Sequence, residues 1–249
     1  MSDGARLTDA LLEIARGDER AVLFTVLDGG DRGAKLLLRL DRGERLGDGP
    51  AGLEELARGL RRSGIVEHEG ARVFADVYGP PPRIVVVGAV DTGEAICAAA
   101  RALGWHTVCV DPRKRFATAE RMPSAEQIVA KWPEEAFAEL GLDRDTAVAV
   151  LTHDDKFDVP SLAVALRSEA FYVGALGSRV AQENRRARLL EAGLTADELE
   201  RLHGPAGLDI GAESPAETAL SVLAEALAVR AGRGGGPLRA SAERIHAER

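Results

Sequence analysis

The sequence predicts an α/β protein: a C-terminal parallel sheet with helices on both faces, preceded by a small α+β N-terminal domain. Three observations carry that prediction. Ile84-Val85-Val86-Val87 is an unbroken β-branched run, the mark of a strand buried on both faces. Gly88 to Gly93 forms a glycine turn that opens a segment with apolar residues at Ala95, Ile96, Ala99, Ala100 and Leu103, a helical spacing closed by Gly104. Further strand-like runs, Trp105–Val110, Thr146–Leu151 and Ala170–Val173, then alternate with helical segments, as a parallel sheet requires.

The composition fits a chain with a sizeable core: 249 residues, 45% hydrophobic and 29% charged. A net charge of −8 argues against nucleic acid as a partner, because counterion release needs a basic surface. No apolar run reaches membrane length, so no membrane association is expected. Cys97 and Cys109 fall in a helix and a strand of one unit, have no metal-ligand spacing, and are expected as buried thiols of a cytoplasmic protein.

The N-terminal domain is expected over residues 1–79. A helix spans about Leu7 to Arg16, followed by strands Ala21–Leu27 and Ala34–Leu40 around a glycine-rich turn. Gly43–Gly52 reads as a loop, Leu53–Arg62 as a helix, and Ile65–Glu67 with Val73–Val77 as a hairpin. The C-terminal domain is expected over 80–231 and a flexible tail over 232–249.

The first glycine turn resembles a dinucleotide fingerprint, with one defect. Gly88 and Gly93 hold the outer positions of G-x-G-x-x-G, but Val90 occupies the middle one, where a side chain obstructs a pyrophosphate. Asp91 and Glu94 have capping-box spacing, which directs a carboxylate to the N–H groups that a phosphate needs. Both features disfavour NAD(P). Asp111, at the end of the second strand, stands where an acidic residue often contacts a ribose, and Arg113 is an alternative phosphate ligand.

Thr152-His153-Asp154 follows the Thr146–Leu151 strand. Ligands of open α/β sheets lie outside the carboxyl ends of strands, so these residues are site candidates; no metal site is assigned to them. Gly174-Ala175-Leu176-Gly177-Ser178-Arg179 is the best anion site in the chain. Glycines 174 and 177 expose backbone N–H groups, Ser178 adds a hydroxyl, and Arg179 adds a planar charged fork at a helix start. Arg185, Arg186 and Arg188 read as solvated surface. Thr195 begins another helix. His203–Ala212 is glycine-rich around Asp209, which reads as a buried aspartate in a loop folded against a site. Ser214-Pro215-Ala216-Glu217 is a capping box that starts the last helix.

The stretches GAVDTG (88–93), VDPR (110–113), LTHD (151–154), FYVGALGSR (171–179) and HGPAGLDIGAESPAE (203–217) together resemble the XdhC/CoxI family over about residues 76–230. The resemblance implies a Rossmann-like C-terminal domain. It also implies an accessory role: binding molybdenum cofactor (molybdopterin) and assisting its maturation and insertion into a molybdenum hydroxylase of the xanthine dehydrogenase or CO dehydrogenase type. A cysteine desulfurase and a second copy of the chain, as a homodimer, are further partners in that picture. The expected cofactor-binding set is Gly88, Ala89, Asp111, Arg113, Thr152, His153, Asp154, Gly174, Gly177, Ser178, Arg179 and Asp209. No activated nucleophile is evident, which suits a carrier rather than an enzyme. Two features depart from the family pattern. Gly88-Ala89-Val90-Asp91 replaces a GAGH turn, and Glu44–Gly49 replaces a glycine-rich segment ending in cysteine. The alternatives are an NAD(P)-dependent oxidoreductase and a noncatalytic interaction protein retaining the fold.

Overall fold

The computed structural model describes residues 3–152 and 154–242. They fall into two compact units, one formed by Pro81–Gly235 and the other by the remainder. In the smaller unit, helix α1 (Asp3–Ala15) precedes strands β1 (Ala21–Val26), β2 (Lys35–Arg39) and β3 (Glu44–Gly47), the short helix α2 (Glu54–Gly59), and strands β4 (Gly64–His68) and β5 (Ala71–Tyr78). The strands form one antiparallel sheet in the order β3-β2-β1-β5-β4. Val22, Phe24, Leu36 and Leu38 face α2 through Leu53 and Ala57, while Leu23 and Leu37 pack with Leu7, Ala10 and Ile14 of α1. β3 corrects the loop expected over 43–52. Its residues are mostly exposed on a sheet edge, so no apolar alternation marks it.

The larger unit contains β6 (Arg83–Val87), α3 (Asp91–Ala102), β7 (His106–Val110), β8 (Gln127–Val129), α4 (Pro133–Leu140), β9 (Thr146–Val150), α5 (Asp155–Arg167), β10 (Tyr172–Ala175), α6 (Arg179–Glu191), α7 (Ala196–Glu200), β11 (Leu202–His203) and α8 (Pro215–Arg230). All six strands are parallel, in the order β11-β10-β9-β6-β7-β8. This is the doubly wound order in which the chain starts at the centre, builds one side, and then crosses β6 to build the other.

The β-branched run in β6 serves both faces. Ile84 and Val86 pack with Ile96, Cys97 and Ala100 of α3 and Ala219, Val222 and Leu223 of α8. Val85 and Val87 point the other way, toward Ala136 and Phe137 of α4, Leu162 and Leu166 of α5, and Leu189 of α6. Each such side chain, fully withdrawn from water, contributes about 1.5–3 kcal/mol. Gly104 takes φ +75° and the N–H of Trp105 returns to the carbonyl of Ala100, so α3 ends as its glycine predicts. Thr195 with Glu198, and Ser214 with Glu217, form complete capping boxes. β10 lies two residues beyond the expected strand. Gly174 is tolerated in it because the Tyr172 ring occupies the space a Cβ would need.

Candidate functional site

The crossover places the carboxyl ends of β6 and β9 side by side, and the first glycine turn lies there. Gly88 adopts φ +114°, and a Cβ on it would lie 2.9 Å from Cγ2 of Thr152. Gly93 lets α3 sit against the turn: its missing Cβ would be 2.7 Å from the carbonyl oxygen of Gly88. The capping box expected of Asp91 and Glu94 does not form. Val90 is the N-cap, with no side-chain cap, and Asp91 is the first helical residue and exposed. The Glu94 carboxylate instead accepts from the backbone N–H of Ser124 at 3.1 Å. The start of α3 therefore keeps uncapped N–H groups, and Val90, partly buried, packs against the core shared with α3 and α8.

Asp111 is 1% exposed and fully engaged. Its carboxylate accepts from the N–H of Ala89 (2.9 Å), the N–H of Arg113 (2.9 Å), and Nε (2.9 Å) and Nη2 (2.7 Å) of Arg113. Four donors match the four lone-pair sites of a carboxylate, which leaves none for a ribose. Burial works against its charge, but the hydrogen bonds from Arg113 and the two backbone amides outweigh it and hold the carboxyl below its usual range. Arg113 is correspondingly held charged by Asp111. The pair braces the first turn through Ala89.

The loops after β9 and β10 are tied together from below. Thr152 donates to Asp158, which also receives Nη2 of Arg185 at 2.8 Å. Arg185 reaches the carbonyl of Leu176 at 3.1 Å and donates to Gln182, whose amide donates to the carbonyl of Ala175 at 3.0 Å. Arg185 is thus 4% exposed, not the solvated surface residue expected. Asp154 is the N-cap of α5 and accepts from the N–H of Lys156. His153 lies outside the described residues.

Above this network stands the glycine-serine-arginine corner. Gly177 has φ +134°, with Ala181 and Gln182 crowding the position of a Cβ. Ser178 caps α6 by accepting from the N–H of Ala181 at 3.2 Å, which leaves its own proton available to donate. Arg179 is the first residue of α6, exposed, and has no hydrogen-bond or ion-pair partner among the described residues. The first turn of α6 contains no acidic residue, so a cation sits at the positive end of the helix dipole uncompensated by the chain. The first N–H groups of that helix have no intrahelical acceptor.

The glycine-rich segment after β11 is latched by Glu225 of α8. Its carboxylate accepts from Tyr172 Oη at 2.7 Å and from the N–H of Gly207 at 2.8 Å, and lies 3.3 Å from Nδ1 of His203. Burial opposes its charge, but the bonds from His203, Tyr172 and Gly207 prevail and depress its carboxyl. The His203 ring stacks on Tyr172 at 4.8 Å. Asp209, read from the sequence as buried, is exposed.

Sequence reasoning missed Gln182 and Glu225 and read Arg185 as surface. For α6 a signal existed: Gln182, Arg185 and Leu189 fall on one helical face and are its buried residues. Chemically, the corner offers backbone and side-chain donors to an anion. Among the described residues no group of three or more His, Cys, Asp or Glu is placed to hold a metal ion, and no helix is long and apolar enough to cross a membrane.

Comparison with known proteins gives a consistent set of likenesses. A family model described as the XdhC Rossmann domain matches residues 84–226. Escherichia coli (strain K12) YqeB is 32% identical over 165 residues, covering 66% of this chain and 30% of that protein. A probable xanthine dehydrogenase subunit of Bacillus subtilis (strain 168) is 30% identical over 158 residues, 64% of this chain and 46% of that one. The Escherichia coli (strain K12) molybdenum cofactor insertion chaperone PaoD is 39% identical over 95 residues, 38% and 30% of the two chains. The chain spans less than half the length of each of these relatives. The crystal structure of a xanthine dehydrogenase from Bacillus halodurans superposes with a TM-score of 0.65 over 92% of this chain and 67% of that one; at 23% identity the likeness concerns the fold.

Proposed function

The chain belongs to the XdhC family, and from that membership we propose an accessory protein that binds molybdenum cofactor and assists its maturation and insertion into a molybdenum hydroxylase client. The names of two relatives, a molybdenum cofactor insertion chaperone and a probable xanthine dehydrogenase component, support the reading and its choice of client. One observation carries it at the level of residues: the exposed, unpartnered Arg179 at the start of α6, beside the left-handed Gly177 and the free proton of Ser178.

The cofactor's phosphate matches that donor set, which holds no carboxylate in the first turn of the helix to repel it. Thr152 and Asp154 hold the loop after β9 beside this site, Thr152 through Asp158 and Asp154 as the N-cap of α5, while Asp111 and Arg113 brace the first glycine turn. The same engagement of Asp111, together with Val90, disfavours NAD(P) in its usual place. A cysteine desulfurase and a second copy of the chain are the further partners this reading includes.

The test is titration of wild type and Arg179→Ala with isolated molybdenum cofactor. Loss of a charge-assisted fork should weaken binding about tenfold or more. Equal affinity of the two proteins would remove Arg179 from the site.

A further inference from the structure

Phe116 lies in the loop between β7 and β8, half-buried, with three guanidinium groups over it. The terminal carbons of Arg113, Arg115 and Arg121 are 4.6, 4.7 and 5.1 Å from the ring centre. No two of them can be more than about 10 Å apart, which is about the screening length at 0.1 M salt. Their mutual repulsion is therefore screened only in part. Asp111 neutralises Arg113. Arg115 and Arg121, with Lys114 between Arg113 and Arg115 in the chain, are exposed and form no ion pair among the described residues. One aromatic quadrupole does not balance that charge. Two unpaired planar forks converging on one ring call for an oxyanion.

The patch continues into an aromatic row. Arg113 also lies over Phe157, at 5.7 Å, and Phe157 packs on Trp132 with ring centres 5.2 Å apart. Trp132 is 46% exposed, at the N-cap of α4 just after β8. The N–H of Asp111 bonds to the carbonyl of Val129, so the loops leaving β7 and β8 start together. They leave from the carboxyl edge of the sheet, where open α/β folds hold ligands.

We propose that the loops after β7 and β8 bind a nucleotide, with its phosphates on Arg115 and Arg121 and its base stacked on Trp132. Charge decides between a small anion and an acidic protein. A large acidic partner must approach a chain of net charge −8, whereas a small polyphosphate meets only the local cationic patch. An exposed indole beside the arginines selects, among small polyanions, one that carries a flat ring. The site lies apart from the first glycine turn, which follows β6. It is separate from the Arg179 corner, because β7 and β10 are three strand spacings apart, about 14 Å.

The test is calorimetric titration of the full chain with ADP and with pyrophosphate. Both should bind saturably, and Arg115→Ala/Arg121→Ala should weaken both about tenfold or more. Trp132→Ala should weaken ADP about fivefold or more and leave pyrophosphate unchanged. Arg179→Ala should change neither, which keeps this result independent of the cofactor reading. The arginines are exposed, so an unchanged melting temperature is expected and shows that the double variant is folded. Absence of saturable ADP binding at about 1 mM, or equal binding by the double variant, overturns the proposal.

Discussion

The Asp158 carboxylate and the Arg185 guanidinium meet at 2.8 Å, with 2% and 5% of their side chains open to water. Asp158 stands in the first turns of α5 and Arg185 midway along α6, so the pair fixes the spacing of the two helices beneath the Arg179 corner. A buried ion pair is costly to break from one side, since the partner left behind stays charged in a poor solvent for charge. Arg185→Met should lower unfolding free energy by about 3–5 kcal/mol in urea. A double-mutant cycle with Asp158→Asn should return a coupling of about 1–3 kcal/mol. A loss under about 0.5 kcal/mol for Arg185→Met would show that the pair is dispensable.

Asp111 makes a prediction in pH. Its folded carboxyl is depressed relative to the unfolded chain, so its contribution is present above the unfolded value of about 4 and disappears as pH falls through the folded value. Stability measured from pH 7 down to 2 should therefore drop below about pH 4, and Asp111→Asn should flatten that limb. At neutral pH the same variant should be about 3 kcal/mol less stable, because the Ala89 N–H and Arg113 lose the charge and one of the two accepting oxygens they share. An acid limb identical in the two proteins would assign the titration to other carboxylates.

The thiols of Cys97 and Cys109 are both buried, and burial pushes each up to about 12. Thiolate is the reactive form, so neither should react with Ellman's reagent at pH 8 in the native protein. Both should react once the protein is unfolded in guanidinium. A fast native reaction at either position would mean that the α3 face of the sheet opens readily.

Gly93→Ala sets helix propensity against packing. On an open helix the change stabilises by about 1 kcal/mol. Here the new methyl would lie 2.7 Å from a backbone oxygen and 3.0 Å from Val86, and overpacking of this kind costs about 1–3 kcal/mol. Packing should win, leaving the variant less stable by urea titration. A more stable variant would show that α3 can shift away from the turn.

The parallel sheet is legible in the sequence because its signals are local and redundant. Ile84–Val87 must suit two cores at once, and only branched apolar residues do that. Gly88 and Gly93 are legible because one needs a left-handed backbone and the other needs no side chain. Other features are settled by distant partners. Asp91 and Glu94 have the spacing of a cap, yet Glu94 bonds to Ser124, thirty positions away, and the helix starts one residue beyond the N-cap valine. Arg185 reads as surface in composition and becomes interior only because Asp158 arrives from α5. Asp111 stands out in the sequence, but its partners lie in its own chain, two and twenty-two residues away. The grouping of Gly177, Ser178 and Arg179 is legible because the three are consecutive.

The six-stranded sheet ends in stubs, three residues long in β8 and two in β11. A bare outer strand is a template on which another backbone can add and aggregation can begin. Edges this short offer a foreign strand too few amides to hold register, so the sheet is blunted against growth from either side. Concentrated protein should stay free of cross-β order for as long as the unit remains folded.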